Sequence, residues 1–318
     1  MNSTGVSPES GSPEVIVLAG PTASGKTAVG IRLAKALGAE IVSADARQIY
    51  RFMDIGTAKP TPEERAEAPH HMVDVADPDE DYSAGRYARE AAAVIDDIRG
   101  RGRLPIVVGG SGLYLRALLD GFSPMPEVPA SVRDRLLGEA QSDLPGLYAR
   151  LVEVDPASAE RYHPNDTQRV VRALEVYESS GERLSDLQDR PPERGPGWTA
   201  RWFGLDMDRA ELYQRIDRRA DLMVEAGLLE EVRSLRERGY GRGLNALNTF
   251  GYREIFGFLD GRFGLGEATD LIKAGTRRYA KRQLTWFRAD DRLKWFDPIA
   301  QDPAAEILKV LDTPTGSS

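Results

Sequence analysis

Residues 14–37, EVIVLAGPTASGKTAVGIRLAKAL, decide the fold. Their centre, GPTASGKT at residues 20–27, fits the phosphate-binding pattern G-x-x-x-x-G-K-[ST] at every fixed position. EVIVLA before it is a short apolar run with a β-branched centre, and KTAVGIRLAKAL after it reads as a helix that stops at Gly38. A strand, a small-residue turn and a helix form the context that this pattern requires. Successive backbone N–H groups in such a turn point into a concavity at the positive end of the helix. Gly20, Thr22, Ala23, Ser24, Gly25, Lys26 and Thr27 are therefore the candidate phosphate site. The Lys26 ammonium serves the outer phosphates and the Thr27 hydroxyl serves Mg²⁺. The pattern names no reaction, because kinases, ATPases and some group transferases share it.

Working outward, alternating strands and helices follow. AEIVSA (39–44), HHMVDV (70–75) and LPIVVGG (104–110) read as strands, and residues 83–99 read as a helix. This alternation implies a P-loop-type α/β fold, a parallel sheet flanked by helices, with ligands beyond the carboxyl ends of its strands. Function is then expected at Gly20, Asp45 and Gly109. From 123 to 197 the character changes to proline-rich helical stretches such as VRDRLLGEA and DTQRVVRALEVYESSG. We read 123–197 as an inserted helical domain bounded by Pro- and Gly-rich edges, with 14–122 and 198–313 forming the core. WTARWFGLDMD carries strand-like residues, three further helical stretches are expected after it, and LKWF (293–296) supplies a last strand.

Composition sets outer limits. The chain has 318 residues, 41% of them hydrophobic, which suffices for one large core or two smaller ones. No stretch approaches the roughly 20 apolar residues of a membrane span, and MNSTGVSPESGSPE lacks the features of a secretory signal. Residues 1–13 are expected to be a disordered tail. The absence of cysteine excludes disulfides and thiolate metal sites and suits a cytoplasmic enzyme, which we expect to be a monomer without membrane contact. The net charge of −8 conceals a local bias: residues 273–294 hold eight Lys or Arg against two Asp, with Tyr279, Trp286 and Phe287 interleaved. That pattern suits RNA, or else a solvated helix whose aromatics pack inward.

Two further motifs sit at expected strand ends. In SADARQIYRFMDIGTAKP, Asp45 follows the second strand, where it can act as a general base for an acceptor or cap a turn. In GGSGLYLRALLDG, Ser111 lies near a helix start, where its hydroxyl can face a ligand or cap the helix. LPIVV ends in Gly109 and Gly110, without the acidic residue that a motor ATPase places there.

Taken together and in order, GPTASGKT, DxRQIYRxMDIGTAKP, HHMVDV, GGSGLYLRALLDG, HPNDTQRVVRALEVYE, TFGYREI and TRRYAKRQLTWFR make the chain resemble the tRNA dimethylallyltransferases. The resemblance implies transfer of a dimethylallyl group from dimethylallyl diphosphate to N6 of adenosine 37, beside the tRNA anticodon, with release of diphosphate. The phosphate loop would then hold the diphosphate leaving group, with Mg²⁺ as cofactor and Thr27 on the metal. Asp45 matches the family's base and Arg219 an arginine on the diphosphate, with Arg215 as its nearby alternative. Ser111 stands where Thr is frequent and would join Lys26 on the diphosphate oxygens. Blocks aligned with tRNA contacts are Asp45, Ala46, Arg47 and Gln48; Gln168, Arg169, Val170, Val171 and Arg172; and Asn248, Thr249, Phe250, Gly251, Tyr252 and Arg253. Arg278, Lys281 and Arg282 extend them along the basic helix.

The inserted segment has nine Arg against fourteen acidic residues, so any grip on the anticodon stem-loop there would be local, through Arg169 and Arg172. Ala46 replaces a common serine, Asn248 a frequent glutamine and Phe250 a frequent isoleucine. His70, His71 and His163 are expected to be structural. A P-loop kinase of a nucleoside or small metabolite would leave the insertion and the basic helix without a role. An adenylate prenyltransferase acting on free nucleotides would have no use for the basic helix.

Overall fold

The computed structural model describes residues 14–121, 123, 125–191 and 195–312; the expected tail at 1–13 lies outside them. Alternation in the first apolar run decides the layering. In β1 (Val15–Ala19) every residue is buried, Val15 and Val17 in one core and Ile16 and Leu18 in another, so both faces of the strand are covered. α1 (Lys26–Leu37) follows the phosphate loop and ends on Gly38 at φ 62°. β2 (Glu40–Ala44), α2 (Pro62–Glu67), β3 (His70–His71), α3 (Ala84–Gly100), β4 (Pro105–Gly109) and α4 (Gly112–Leu119) complete the first half.

The second compact unit, Asp120–Gly195, holds α5 (Ala130–Val154), α6 (Pro156–Arg161), α7 (Thr167–Ser180) and α8 (Leu184–Asp189). α5 bends at Asp143 beside Pro145, whose ring cannot continue the ladder. Leu136 and Leu151 pack there with Val170 and Leu174. The buried Asp155 caps α6 through Ser158 and also accepts from the amide and hydroxyl of Ser185, fixing α8.

The chain then rejoins the first unit through β5 (Ala200–Leu205), α9 (Arg209–Glu225), α10 (Leu228–Glu237), α11 (Tyr252–Leu259), α12 (Leu265–Arg288), β6 (Leu293–Phe296) and α13 (Pro303–Asp312). The six strands pair in the order β3-β2-β4-β1-β5-β6, each pairing parallel. α1 and α13 supply one core, while α3, α4, α10, α11 and α12 supply the other. Register puts Ala44 and Ala19 each opposite Gly109, so β1, β2 and β4 end level with one another. A Cβ at Gly109 would lie 2.1 Å from the Ala44 carbonyl oxygen, which is why glycine ends this strand.

Two local expectations need correction, and two helices are not read from the sequence. The third strand stops at His71 and does not reach Val75, because Met72 and Asp74 adopt left-handed φ of 60° and 58° and Asp74 pairs with Lys59 and Arg65. Four helices, not three, separate β5 from β6, because Gly227 at φ 101° breaks α9 from α10. α2 and α13 escape a periodicity reading; α2 is short and is fixed by Pro62 and a Thr61–Glu64 capping box.

Candidate active site

The level ends of β1, β2 and β4 deliver the phosphate loop, Asp45 and the turn of Gly110 and Ser111 to one edge of the sheet. They border a cleft of about 1830 Å³ lined by Thr22, Ala23, Gly25, Lys26, Thr27, Asp45, Arg215, Arg219 and Gln283 among others. Gly20 at φ 152° and Gly25 at φ 90° give the loop its shape, and Ala23 shares the left-handed region at φ 64°. Among the described residues the buried Ser24 hydroxyl has no hydrogen-bond partner. Lys26 donates to the Pro21 carbonyl at 2.5 Å. Desolvation brings its ammonium pKa down to about 7; Asp45 nearby opposes that fall and Arg219 adds to it. Such a lysine gains charge when an anion enters.

Asp45 uses one oxygen for architecture. Its Oδ1 accepts the amide of Arg47 at 2.8 Å and that of Gln48 at 3.4 Å, while among the described residues no hydrogen bond engages Oδ2. Arg47 itself is held by the Asn245 carbonyl at 2.7 Å. The Ser111 hydroxyl accepts the Ala46 amide at 3.0 Å, and the Ser111 amide donates to the Ala44 carbonyl, so this residue clamps the turn that carries Asp45. Tyr279 approaches the same point. Burial, then the Asp45 carboxylate, pushes its phenol up to about 12, partly countered by Arg47, Arg282 and a hydrogen bond with Ser111.

Of the two arginines, Arg219 is the one that no carboxylate pairs among the described residues. Its Nη1 lies 3.5 Å from the Thr22 hydroxyl, and burial pushes its pKa down against the pull of Asp45. Arg215 is instead tied to Glu211 at 3.1 Å. Gln283, which sequence reasoning missed, accepts the Thr22 amide at 2.9 Å and donates to the Gly110 carbonyl at 2.8 Å. Its signal was present: a glutamine interrupts the inward stripe of Ala268, Ile272, Gly275, Gln283 and Phe287 on α12.

The basic segment is divided by its ion pairs. Arg277 and Lys273 are matched by Asp217 and Asp221 at 2.6 Å each. Arg278, Lys281 and Arg282 are exposed, and no carboxylate contacts them among the described residues. Arg282 also lies over the Tyr279 ring. Asn248, Thr249, Phe250 and Arg253 border the cleft. Gly251 caps α11 at φ 98°, and the buried Tyr252 donates its hydroxyl to Glu231, so its side chain belongs to the core. In the second unit Val170 and Val171 are likewise core residues, whereas Arg169 is exposed over Tyr162 and Arg172 pairs with the buried Glu175 at 2.7 Å. The histidines have internal partners: His70 meets the Ala68 carbonyl, His71 meets Glu40, and His163 accepts the Asn165 amide.

With this geometry in place, similarity to known proteins is informative. Residues 48–290 match the IPP transferase family model, and residues 13–72 match an isopentenyl transferase model. The chain belongs to the IPP transferase family. It is 49% identical over 302 residues to tRNA dimethylallyltransferase 1 of Syntrophotalea carbinolica, covering 95% of this chain and 96% of that one. It is 50% identical over 298 residues to the tRNA dimethylallyltransferase of Symbiobacterium thermophilum, covering 92% of each. Among solved structures of this family, the tRNA isopentenylpyrophosphate transferase of Bacillus halodurans superposes with a TM-score of 0.69 at 39% identity over 94% of each chain. A eukaryotic dimethylallyltransferase acting on tRNA gives 0.76 at 30% identity, over 92% of this chain and 77% of that one. Among the described residues, no helix of this family member is long and apolar enough to cross a membrane.

Proposed function

We propose that this IPP transferase transfers a dimethylallyl group from dimethylallyl diphosphate to N6 of adenosine 37 in tRNA and releases diphosphate. The observation that carries this reading is the level ending of β1, β2 and β4, which sets the phosphate loop and Asp45 against one cleft. An allylic carbon becomes electrophilic as its diphosphate departs, so donors matched to the growing negative charge lower the barrier. Lys26, the loop amides and Arg219 are those donors. Lys26 enters with its pKa near 7 and takes up a proton as the anion binds.

The acceptor amine is poorly nucleophilic because its lone pair is delocalised into adenine. Asp45 Oδ2 removes its proton as the C–N bond forms, while Oδ1 stays on the Arg47 amide and keeps the carboxylate in place. The adenine must leave its stack to reach Asp45, at a cost of about a few kcal/mol. Phe250 and Tyr279, on the cleft wall, offer aromatic faces to offset it. The phosphates of the anticodon stem-loop meet Arg278, Lys281 and Arg282 on α12.

Mg²⁺ fits the loop. The Thr27 hydroxyl, which borders the cleft, would hold the ion, with phosphate and water as the oxygen ligands that Mg²⁺ prefers. When bound, it supplies positive charge to the leaving diphosphate.

Incubation with labelled dimethylallyl diphosphate, Mg²⁺ and either tRNA, AMP or ATP tests the proposal. Label in tRNA alone supports it; label in AMP or ATP contradicts it.

A further inference from the structure

One side chain joins the donor loop to the acceptor turn. Gln283 is buried on α12, and its two amide atoms point in different directions: Oε1 takes the Thr22 N–H of the phosphate loop, and Nε2 gives its proton to the Gly110 carbonyl. Gly110 is followed by Ser111, whose hydroxyl holds the Ala46 amide next to Asp45. The fit at Gly110 is close, since a Cβ there would lie 2.4 Å from Gln283 Nε2. Beyond the pairing of β1, β4 and β2, one carboxamide thus links the phosphate loop to the turn beside Asp45. The helix that carries it also presents the exposed Arg278, Lys281 and Arg282.

We propose that Gln283 is a positioning residue that fixes the phosphate loop relative to the Asp45 turn, acting through the Thr22 amide and the Gly110 carbonyl. This rests on the reading of the cleft as a prenyl-diphosphate site. The chemistry requires one acceptor and one donor at the same side-chain end. Glutamine supplies both. Methionine, of similar length, supplies neither and leaves a buried N–H and a buried C=O unpaired. An ionised glutamate accepts from Thr22 but repels the Gly110 oxygen and the incoming diphosphate. A protonated glutamate restores the pattern, because its carbonyl accepts and its hydroxyl donates.

The test measures binding of inorganic diphosphate with Mg²⁺, tRNA affinity, and single-turnover transfer from dimethylallyl diphosphate, in wild type, Gln283→Met and Gln283→Glu. Gln283→Met is expected to weaken diphosphate binding roughly tenfold and to slow transfer at saturating donor and tRNA, with tRNA affinity unchanged. In Gln283→Glu the rate relative to wild type is expected to rise as pH falls through the glutamate's raised pKa, a rescue that a purely structural role would not produce. Should Gln283→Met melt below assay temperature, the near-isosteric Gln283→Glu decides. Wild-type diphosphate affinity in both variants, or a relative rate for Gln283→Glu that is flat with pH, overturns the proposal. If wild type moves no label to tRNA but diphosphate binding still falls in the variants, the positioning role stands and the prenyl-transfer reading fails.

Discussion

Asp45 accepts the backbone N–H of Arg47 through Oδ1 at 2.8 Å, a bond that asparagine can reproduce. The two possible roles of this residue, turn cap and base, therefore reside on different oxygens and can be separated by one substitution.

Asp45→Asn should keep the turn and lose the base. Single-turnover transfer is expected to fall about 10²- to 10⁴-fold, while tRNA affinity stays close to wild type. Rates at saturating tRNA, set beside an equilibrium binding curve, check both halves; full turnover in this variant would remove Asp45 from the chemistry.

Lys26→Ala should cost about 2 to 4 kcal/mol at the transition state, as for the loss of one preorganised donor to a developing anion. Comparing kcat/KM for dimethylallyl diphosphate in the two enzymes gives this figure directly.

The lowered pKa of Lys26 has a second consequence. With the empty-site value at about 7, the side chain is largely neutral at pH 8, and a bound diphosphate raises its pKa again. Binding at pH 8 should then take up close to one proton, and at pH 6 close to none. Calorimetry in buffers of different ionisation enthalpy measures the difference, and Lys26→Ala should abolish it. For folding the sign is opposite to that of a salt-bridged lysine. Between pH 7 and the unfolded value of 10.5 the unfolded chain holds more protons at this site, so its contribution to stability rises with pH across that window.

Replacing Lys281 and Arg282 together with alanine should weaken tRNA binding and flatten its dependence on salt. If each contacts one phosphate, the slope of log K against log salt should shrink by about 2 on duplex RNA-like geometry. Titrations at several salt concentrations decide this, and an unchanged slope would place the phosphates elsewhere.

Gly109→Ala tests the level strand ends. Its Cβ would lie 2.1 Å from the Ala44 carbonyl oxygen, so β2 and β4 must part where Asp45 is held. A loss of several kcal/mol in unfolding free energy is expected, measured by denaturant titration, together with slower transfer in whatever remains folded.

The legible parts of this molecule were those where local geometry admits few residues. GPTASGKT could be read because Gly20 and Gly25 must take positive φ and because Lys26 and Thr27 are fixed by the loop they end. The parallel sheet was legible from buried apolar runs separated by helical periods. β3 was overestimated because nothing in MVDV announces that Met72 and Asp74 turn left-handed; that conformation accompanies the Asp74 ion pairs with Lys59 and Arg65, which only the folded chain assembles. Gln283 could be noticed as a polar residue in the inward stripe of α12, but not what it holds, because Thr22 lies 261 positions away and both partners are backbone groups, which carry no sequence signal. Val170, Val171 and Tyr252 stand in blocks with contact-like neighbours, yet burial gives their side chains to the core, a distinction that motif spacing does not make.

The central claim, prenyl transfer to one adenosine of tRNA, is tested most directly with two anticodon stem-loops that differ only at position 37. One carries adenosine there and the other guanosine, and each is incubated with labelled dimethylallyl diphosphate and Mg²⁺, with the products digested to nucleosides. The account predicts label in a single N6-modified adenosine from the first RNA and none from the second. Equal labelling of both, or label in neither while a free adenine nucleotide becomes modified, would contradict it.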